Sequence, residues 1–162
     1  MQLTITENQK ETKELAKNLA KKLIQKKSEK ALVIAMSGEL GSGKTTFVSG
    51  FSKVLGIREK ILSPTFVLIH KHELKPGEKP IQHKGYKFLY HIDAYRLESE
   101  KDLLKLGIKE ILTNPKNIIM IEWADKVKRI VPKNATWIYL KHSDKNRRSI
   151  TEHKGDITTT PH

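Results

Sequence analysis

The stretch that most restricts how this chain can fold lies between residues 31 and 45. Ala31-Leu32-Val33-Ile34-Ala35-Met36 is an unbroken apolar run. So short a run suits a strand buried on both faces, as in a parallel sheet. It feeds into Gly38-Glu39-Leu40-Gly41-Ser42-Gly43-Lys44-Thr45, a full match to G-x-x-x-x-G-K-[ST]. A helical stretch then runs from Lys44 to Leu55 and stops at Gly56. Strand, glycine-rich turn and helix in immediate succession commit the chain to a layered α/β arrangement.

The residue types in the turn answer a chemical need. A phosphate chain must lie against bare backbone N–H groups, so Cβ atoms have to be missing where the loop wraps it. The helix that begins near Lys44 turns its positive end toward the anion. Lys44 is expected to neutralise the β- and γ-phosphate oxygens, and the Thr45 hydroxyl to ligate Mg²⁺. The expected nucleotide contacts are Glu39, Leu40, Gly41, Ser42, Gly43, Lys44, Thr45 and Thr46, with a nucleotide and Mg²⁺ as the bound species. No [NT]-K-x-D element for reading guanine occurs.

Outside this unit the periodicity alternates. Leu15, Ala16, Leu19, Ala20, Leu23 and Ile24 form one apolar stripe, predicting a helix from Glu7 to about Lys27, with Thr6 and Gln9 as a capping box. Strands are predicted at Thr65–His72, Tyr86–Asp93, Asn117–Glu122, Ala135–Leu140 and Arg148–Thr151. Pro76-Gly77, Pro80 and Gly85 mark a surface loop over 73–85. Ser99 and Asp102 open a helix that packs Leu103, Leu104 and Leu106 and ends at Gly107. The connections in the second half are too short for helices to cross every strand. The expected fold is therefore a three-layer P-loop NTPase, with a central mixed parallel and antiparallel sheet flanked by helices. One domain is expected over 1–157, with 158–162 as a disordered tail.

Composition removes several alternatives. The 162 residues contain no cysteine, which excludes disulfides, thiolate metal sites and thiol catalysis. That fits a reducing compartment, and with the polar N-terminus it sets a cytoplasmic expectation. No apolar run approaches the ~18 residues of a membrane span. The net charge is +13, and lysine supplies 26 of the 31 basic residues. Such an excess attracts RNA or an acidic partner, but it also describes an ordinary solvated helix face.

A P-loop needs a carboxylate on a neighbouring strand to hold Mg²⁺ or position water. Two predicted strands end in one, Ile118-Ile119-Met120-Ile121-Glu122 and Phe88-Leu89-Tyr90-His91-Ile92-Asp93. Glu122 and Asp93 are thus the candidate site acids, and either can be the direct Mg²⁺ ligand. His91 shares a strand face with Asp93 and is expected to orient it. A metal site from His70, His72, His83 and His91 is disfavoured by their scattered spacing. Trp123 is either a cover for the nucleotide, a partner contact or a core residue.

Four blocks in this order resemble the TsaE family. They are Gly38-Glu-Leu-Gly-Ser-Gly-Lys-Thr-Thr46, Ser63-Pro-Thr-Phe66, Leu89-Tyr-His-Ile-Asp-Ala-Tyr-Arg-Leu97 and Ile121-Glu-Trp123. The first block is generic to P-loop ATPases; the other three make the resemblance specific. It implies an ATPase of bacterial tRNA threonylcarbamoyladenosine synthesis, with ATP and Mg²⁺ bound at the turn, that works with the TsaD–TsaB pair and does not itself perform the transfer. tRNA would be met through that complex. The resemblance further implies that Ser63-Pro64-Thr65 is a switch loop, with the Thr65 hydroxyl near the γ-phosphate or its water. It places Glu11 and Thr12 near the adenine and Arg147 in a late strand bordering the nucleotide. Catalytic roles fall to Asp93, Glu122 and Thr65, and metal ligation to Thr45 and Glu122. Two other classes stay open: a small-molecule phosphotransferase, which the five scattered arginines suit poorly, and a nucleotide-gated RNA-binding module resting on the +13 charge.

Overall fold

The computed structural model describes residues 1–64, 67–75 and 85–155. The run at 31–36 becomes β2 (Leu32–Ser37), and the glycine-rich turn leads into α2 (Lys44–Val54). Strand β2 lies in the middle of a seven-stranded sheet. It is parallel on one side to β5 (Asn117–Glu122) and on the other to β6 (Thr136–His142). Strand β4 (Phe88–Asp93) runs parallel to β5, and β3 (Ile69–Glu73) closes that edge antiparallel to β4. On the far side β7 (Arg148–Lys154) is antiparallel to β6, and β1 (Gln2–Thr6) is antiparallel to β7. The order is β1-β7-β6-β2-β5-β4-β3. The sheet is mixed, as expected.

Alternation along the central strands builds two cores. Ile34 and Met36 of β2, with Ile118 and Met120 of β5, face α2 and α1 (Gln9–Leu23). Val33 and Ala35, with Ile119 and Ile121, face the other way. There they meet Leu103 of α3 (Lys101–Lys105), Ile108 and Leu112 of α4 (Ile108–Thr113), and Val127 of the kinked 3-10 segment Ala124–Ile130. Because β5 is covered on both faces, all of its residues are buried and it reads as a continuous apolar run. The two helices on the first face pack closely at Gly50. A Cβ there would lie 2.5 Å from the Lys13 carbonyl oxygen, so any side chain would push α1 away.

Several expectations are corrected. The helix start is Asn8, not Thr6: the Asn8 Oδ1 accepts from the Glu11 backbone N–H at 3.0 Å, and Glu11 reaches back to the Glu7 N–H at 2.7 Å. Thr6 instead ends β1, a strand the polar N-terminus did not announce. Of the leucines expected to pack on α3, only Leu103 is buried; Leu104 and Leu106 are exposed. The helix after Ser99 starts at Lys101, and the chain resumes helix as α4 beyond Gly107. Strand β3 begins at Ile69; residues 65–66, most of the expected 73–85 loop and the tail lie outside the described residues.

Candidate functional site

The turn between β2 and α2 is shaped by what its glycines leave out. A Cβ on Gly38 would sit 2.3 Å from the Leu140 carbonyl oxygen and 2.7 Å from Ser42 Oγ. Only glycine lets the loop pass that close to β6. Gly43 takes φ 100° as the residue before α2 and, having no side chain, offers this helix no cap. Its first backbone N–H groups are therefore left to an acceptor from outside the helix, at the positive end of its dipole. Ser42 is fully buried within the turn, whereas Leu40 at its crest is exposed.

Lys44 is the buried cation of this turn, only 5% exposed. Its Nζ donates to the Gly38 carbonyl at 2.6 Å, the Glu39 carbonyl at 2.9 Å and Ser42 Oγ at 3.3 Å. It also lies 3.9 Å from the centre of the Trp123 ring. Burial holds the ammonium below the ordinary lysine value, although Glu122, Asp125, Asp93 and Glu39 pull it back up. A partly desolvated ammonium among carboxylates is primed to gain from a ligand that brings negative charge.

The two strand-end acids stand side by side, because Asp93 and Glu122 are register partners in β4 and β5. Both are buried. Glu122 accepts from the Thr45 hydroxyl, with its carboxylate oxygens at 2.9 and 3.1 Å, and from His91 Nε2 at 2.7 Å. His91 is fully buried, and its other ring nitrogen, Nδ1, has no hydrogen-bond partner among the described residues. The expectation that His91 orients Asp93 is thereby corrected. It orients Glu122, because Glu122 on the neighbouring strand reaches back to the ring. Asp93 is held differently, by the Ser63 hydroxyl at 2.6 Å and the Tyr95 backbone N–H at 2.9 Å.

The structure thus gathers Lys44, Thr45, Glu122 and Asp93 at the carboxyl ends of β2, β5 and β4, with Thr46 beside them in the first turn of α2. Ligand crevices of open α/β sheets lie at this edge. Glu11, Thr12 and Arg147 form a second group around the start of α1. Arg147 Nε donates to Glu7 Oε2 at 2.7 Å, Glu11 caps Glu7, and the buried Thr12 hydroxyl is 2.9 Å from that of Thr6. Arg148, next in β7, borders the turn: its Nε is 3.7 Å from where a Cβ on Gly43 would be. Thr65 lies outside the described residues.

Two participants, Lys126 and Asp125, went unread in the sequence, and Trp123, read there as a nucleotide cover, a partner contact or a core residue, takes a specific place. Trp123 adopts a left-handed backbone, φ 58° and ψ 38°, which is uncommon and strained for a bulky residue. That turn directly after β5 lays its ring over Lys44 and against Tyr95, 4.9 Å between ring centres. Lys126 then donates to the Tyr95 carbonyl. Asp125 receives the Ser37 hydroxyl at 2.9 Å, adding a third acid near the turn. Its position two residues past Trp123 was the available signal.

The donor set suits a hard cation. The Thr45 hydroxyl and the Glu122 carboxylate supply oxygen. Among the described residues no group of three or more His, Asp or Glu is placed to hold a metal ion alone. Mg²⁺ is typically bound in that way, with one or two protein oxygens and the rest of its shell from phosphates and water. His70 and His72 have ring centres 5.2 Å apart with planes tilted by 52°, but belong to no such group among the described residues.

Comparison with known proteins places this geometry. The family model described as threonylcarbamoyl adenosine biosynthesis protein TsaE matches residues 6–150. A Bacillus subtilis protein named tRNA threonylcarbamoyladenosine biosynthesis protein TsaE is 34% identical over 146 residues, covering 90% of this chain and 81% of that relative. A Treponema pallidum protein of the same name is 35% identical over 123 residues, covering 76% of this chain and 82% of the relative. The crystal structure of YdiB from Bacillus subtilis superposes with a TM-score of 0.70 at 27% identity, covering 96% of this chain and 86% of that one.

Proposed function

This chain belongs to the TsaE family, and from that premise we propose that it is the ATP-binding and ATP-hydrolysing component of tRNA threonylcarbamoyladenosine modification. It acts with the TsaD–TsaB pair and does not transfer the threonylcarbamoyl group itself. The relatives' names support the tRNA modification. What supports the nucleotide chemistry is one contact: the Thr45 hydroxyl on Glu122, which joins the phosphate-binding turn to a strand-end acid far along the chain.

In this reading the α2 N–H groups and the bare loop backbone take the phosphate chain of ATP. Lys44 exchanges its carbonyl contacts for phosphate oxygens, which relieves its burial among neutral acceptors. Thr45 and Glu122 hold Mg²⁺, which when bound neutralises charge on the phosphates. His91 keeps the Glu122 carboxylate turned toward Thr45. Asp93, fixed by Ser63 and the Tyr95 N–H, faces the same crevice and accepts a proton from, or orients, the attacking water. No arginine is evident in the Ser63-Pro64-Thr65 switch to stabilise the transferring phosphoryl. Turnover by the isolated protein is therefore slow and rises when TsaD and TsaB are added.

The test is a pull-down with TsaD and TsaB, with and without ATP, followed by phosphate release and tRNA modification assays on the recovered complex. Capture, stimulated phosphate release and modified tRNA are expected. Fast hydrolysis indifferent to the pair, or a phosphorylated small metabolite in place of free phosphate, overturns the proposal.

A further inference from the structure

The opposite edge of the sheet carries a different arrangement that the nucleotide chemistry does not use. The parallel pairings Leu32↔Ile118 and Phe88↔Asn117 set the lead-ins of β2, β5 and β4 side by side. Those lead-ins carry Lys30, Lys116 and Lys87, all exposed. The Lys87 N–H donates to the Lys116 carbonyl at 2.7 Å, so these two sit on directly adjoining backbones. Strand β7 runs the other way and ends at this same edge with exposed Lys154, paired in register with Thr136 at the start of β6. Beside them, Lys26, Lys27 and Lys116 line a shallow cleft of about 200 Å³ at the end of α1. Tyr86 fixes that corner by donating its hydroxyl to the Lys26 carbonyl at 3.3 Å.

None of these lysines is ion-paired to a carboxylate among the described residues. Nearby Glu152 lies 3.9 Å from Lys22 and also pulls the Lys154 pKa upward. Glu29, next to Lys30 in sequence, and Glu73, which ends β3 in register with Phe88, are exposed acids at this edge, outnumbered by its lysines. The Lys26 ammonium beside Lys154 holds that ammonium below the ordinary lysine value. Like charges on neighbouring strands weaken a fold. An edge that concentrates them is therefore stabilised by an external polyanion.

We propose that this lysine-lined amino edge of the sheet is a docking surface for the phosphate backbone of RNA. It goes beyond the preceding reading, in which tRNA arrives with the partner pair, by adding a direct contact on the side away from the nucleotide. Neighbouring strands are about 4.8 Å apart, so flexible lysine stems on them reach successive backbone phosphates. The cation used also favours RNA over an acidic protein. Lysine is depleted from protein–protein interfaces, whereas it serves phosphate as a point charge. No base-reading group stands in the row, so the contact is to the backbone, without sequence preference.

The test measures binding of an unmodified tRNA transcript by fluorescence anisotropy over a salt series. The K30E/K87E/K116E variant is compared with K101E/K105E/K109E, which changes net charge equally on exposed lysines of α3 and α4. Thermal melting of each variant checks folding, and a polyglutamate of matched charge is the competing ligand. Loss of at least ~10-fold in RNA affinity for the edge variant is expected, with a salt slope shallower by roughly two to three. The α3–α4 variant should stay within about threefold, since its charges lie off the binding row. Equal losses in the two variants, unchanged RNA binding by the edge variant, or preference for polyglutamate over RNA each overturn the proposal.

Discussion

At the carboxyl ends of the parallel strands, polar side chains are buried and every key one is held by another. Lys44 is bound by two carbonyls and a hydroxyl, Glu122 by Thr45 and His91, and Asp93 by Ser63 and a backbone N–H. At the amino ends the charges are exposed and mostly positive, and the lysines there form no ion pair with an acid among the described residues. The same strands thus carry two kinds of electrostatics. The buried kind acts at short range, in a place where water cannot substitute for a lost partner. The exposed kind is screened and additive. Single substitutions at the first end should therefore have large and specific effects, and those at the second should be small and graded.

The largest effect is expected at Lys44. Lys44→Ala removes charged hydrogen bonds worth about 1.5–3 kcal/mol each once they are made to phosphate. Nucleotide affinity should fall by roughly 100-fold or more, read by titration calorimetry, with the melting curve still cooperative. Unchanged affinity would sink the assignment of the phosphate-binding turn.

Next come the two acids, where binding and chemistry should separate. Glu122→Ala and Asp93→Asn leave Lys44 and the loop backbone intact, so ATP should still bind. Hydrolysis with the partners present should drop by at least ~100-fold for Glu122→Ala, the scale typical of a deleted acid–base group. That variant also strands the Thr45 hydroxyl and the buried His91 Nε2–H, a destabilisation of about 1–3 kcal/mol. Glu122→Gln keeps an acceptor for both, and distinguishes lost stability from lost chemistry. Parent-level turnover in either acid variant would reduce that carboxylate to a strand-end residue.

A smaller change is expected in fluorescence. Lys44 lies over the Trp123 ring, so removing the ammonium alters that ring's surroundings. In a Trp137→Phe background, Lys44→Ala should shift or rescale Trp123 emission, and ATP should do so in the parent. Identical spectra in all three states would mean that the ring and the ammonium do not meet in solution.

The contrast between the ends also explains what could be read from the residues alone. Strand β5 was predicted with its observed bounds, because burial on both faces leaves an unmistakable apolar run. Lys44 and Thr45 were legible because the turn is local. Strand β1 was not: Gln-Leu-Thr-Ile-Thr is half exposed and becomes a strand only by pairing with β7 at the far end of the chain. His91 was assigned to Asp93 by strand alternation, which is blind to the neighbouring strand that supplies Glu122. Trp123 over Lys44 depends on a left-handed backbone turn that residue identity does not signal. The lysine row was invisible for a similar reason. Lys30, Lys87 and Lys116 are distant in sequence, and only the sheet order makes them neighbours.

The smallest effect expected is on ATP affinity when charge is reversed at the amino edge. Strand β2 has 6 residues, and at about 3.3 Å each it separates the two ends by roughly 20 Å. The Debye length at physiological ionic strength is about 8 Å, so exposed charges at that distance are largely screened. The K30E/K87E/K116E variant should therefore bind ATP within about twofold of the parent in 0.15 M salt. Its thermal stability should hold or rise slightly, because like-charge crowding is relieved. Lowering the salt to 0.01 M stretches the Debye length to about 30 Å. The two ends should then begin to sense each other, with ATP bound more weakly by the variant because a positive field has been removed. A variant that loses ATP affinity several-fold in 0.15 M salt would show the ends to be coupled through the sheet itself, and the division between them would fall.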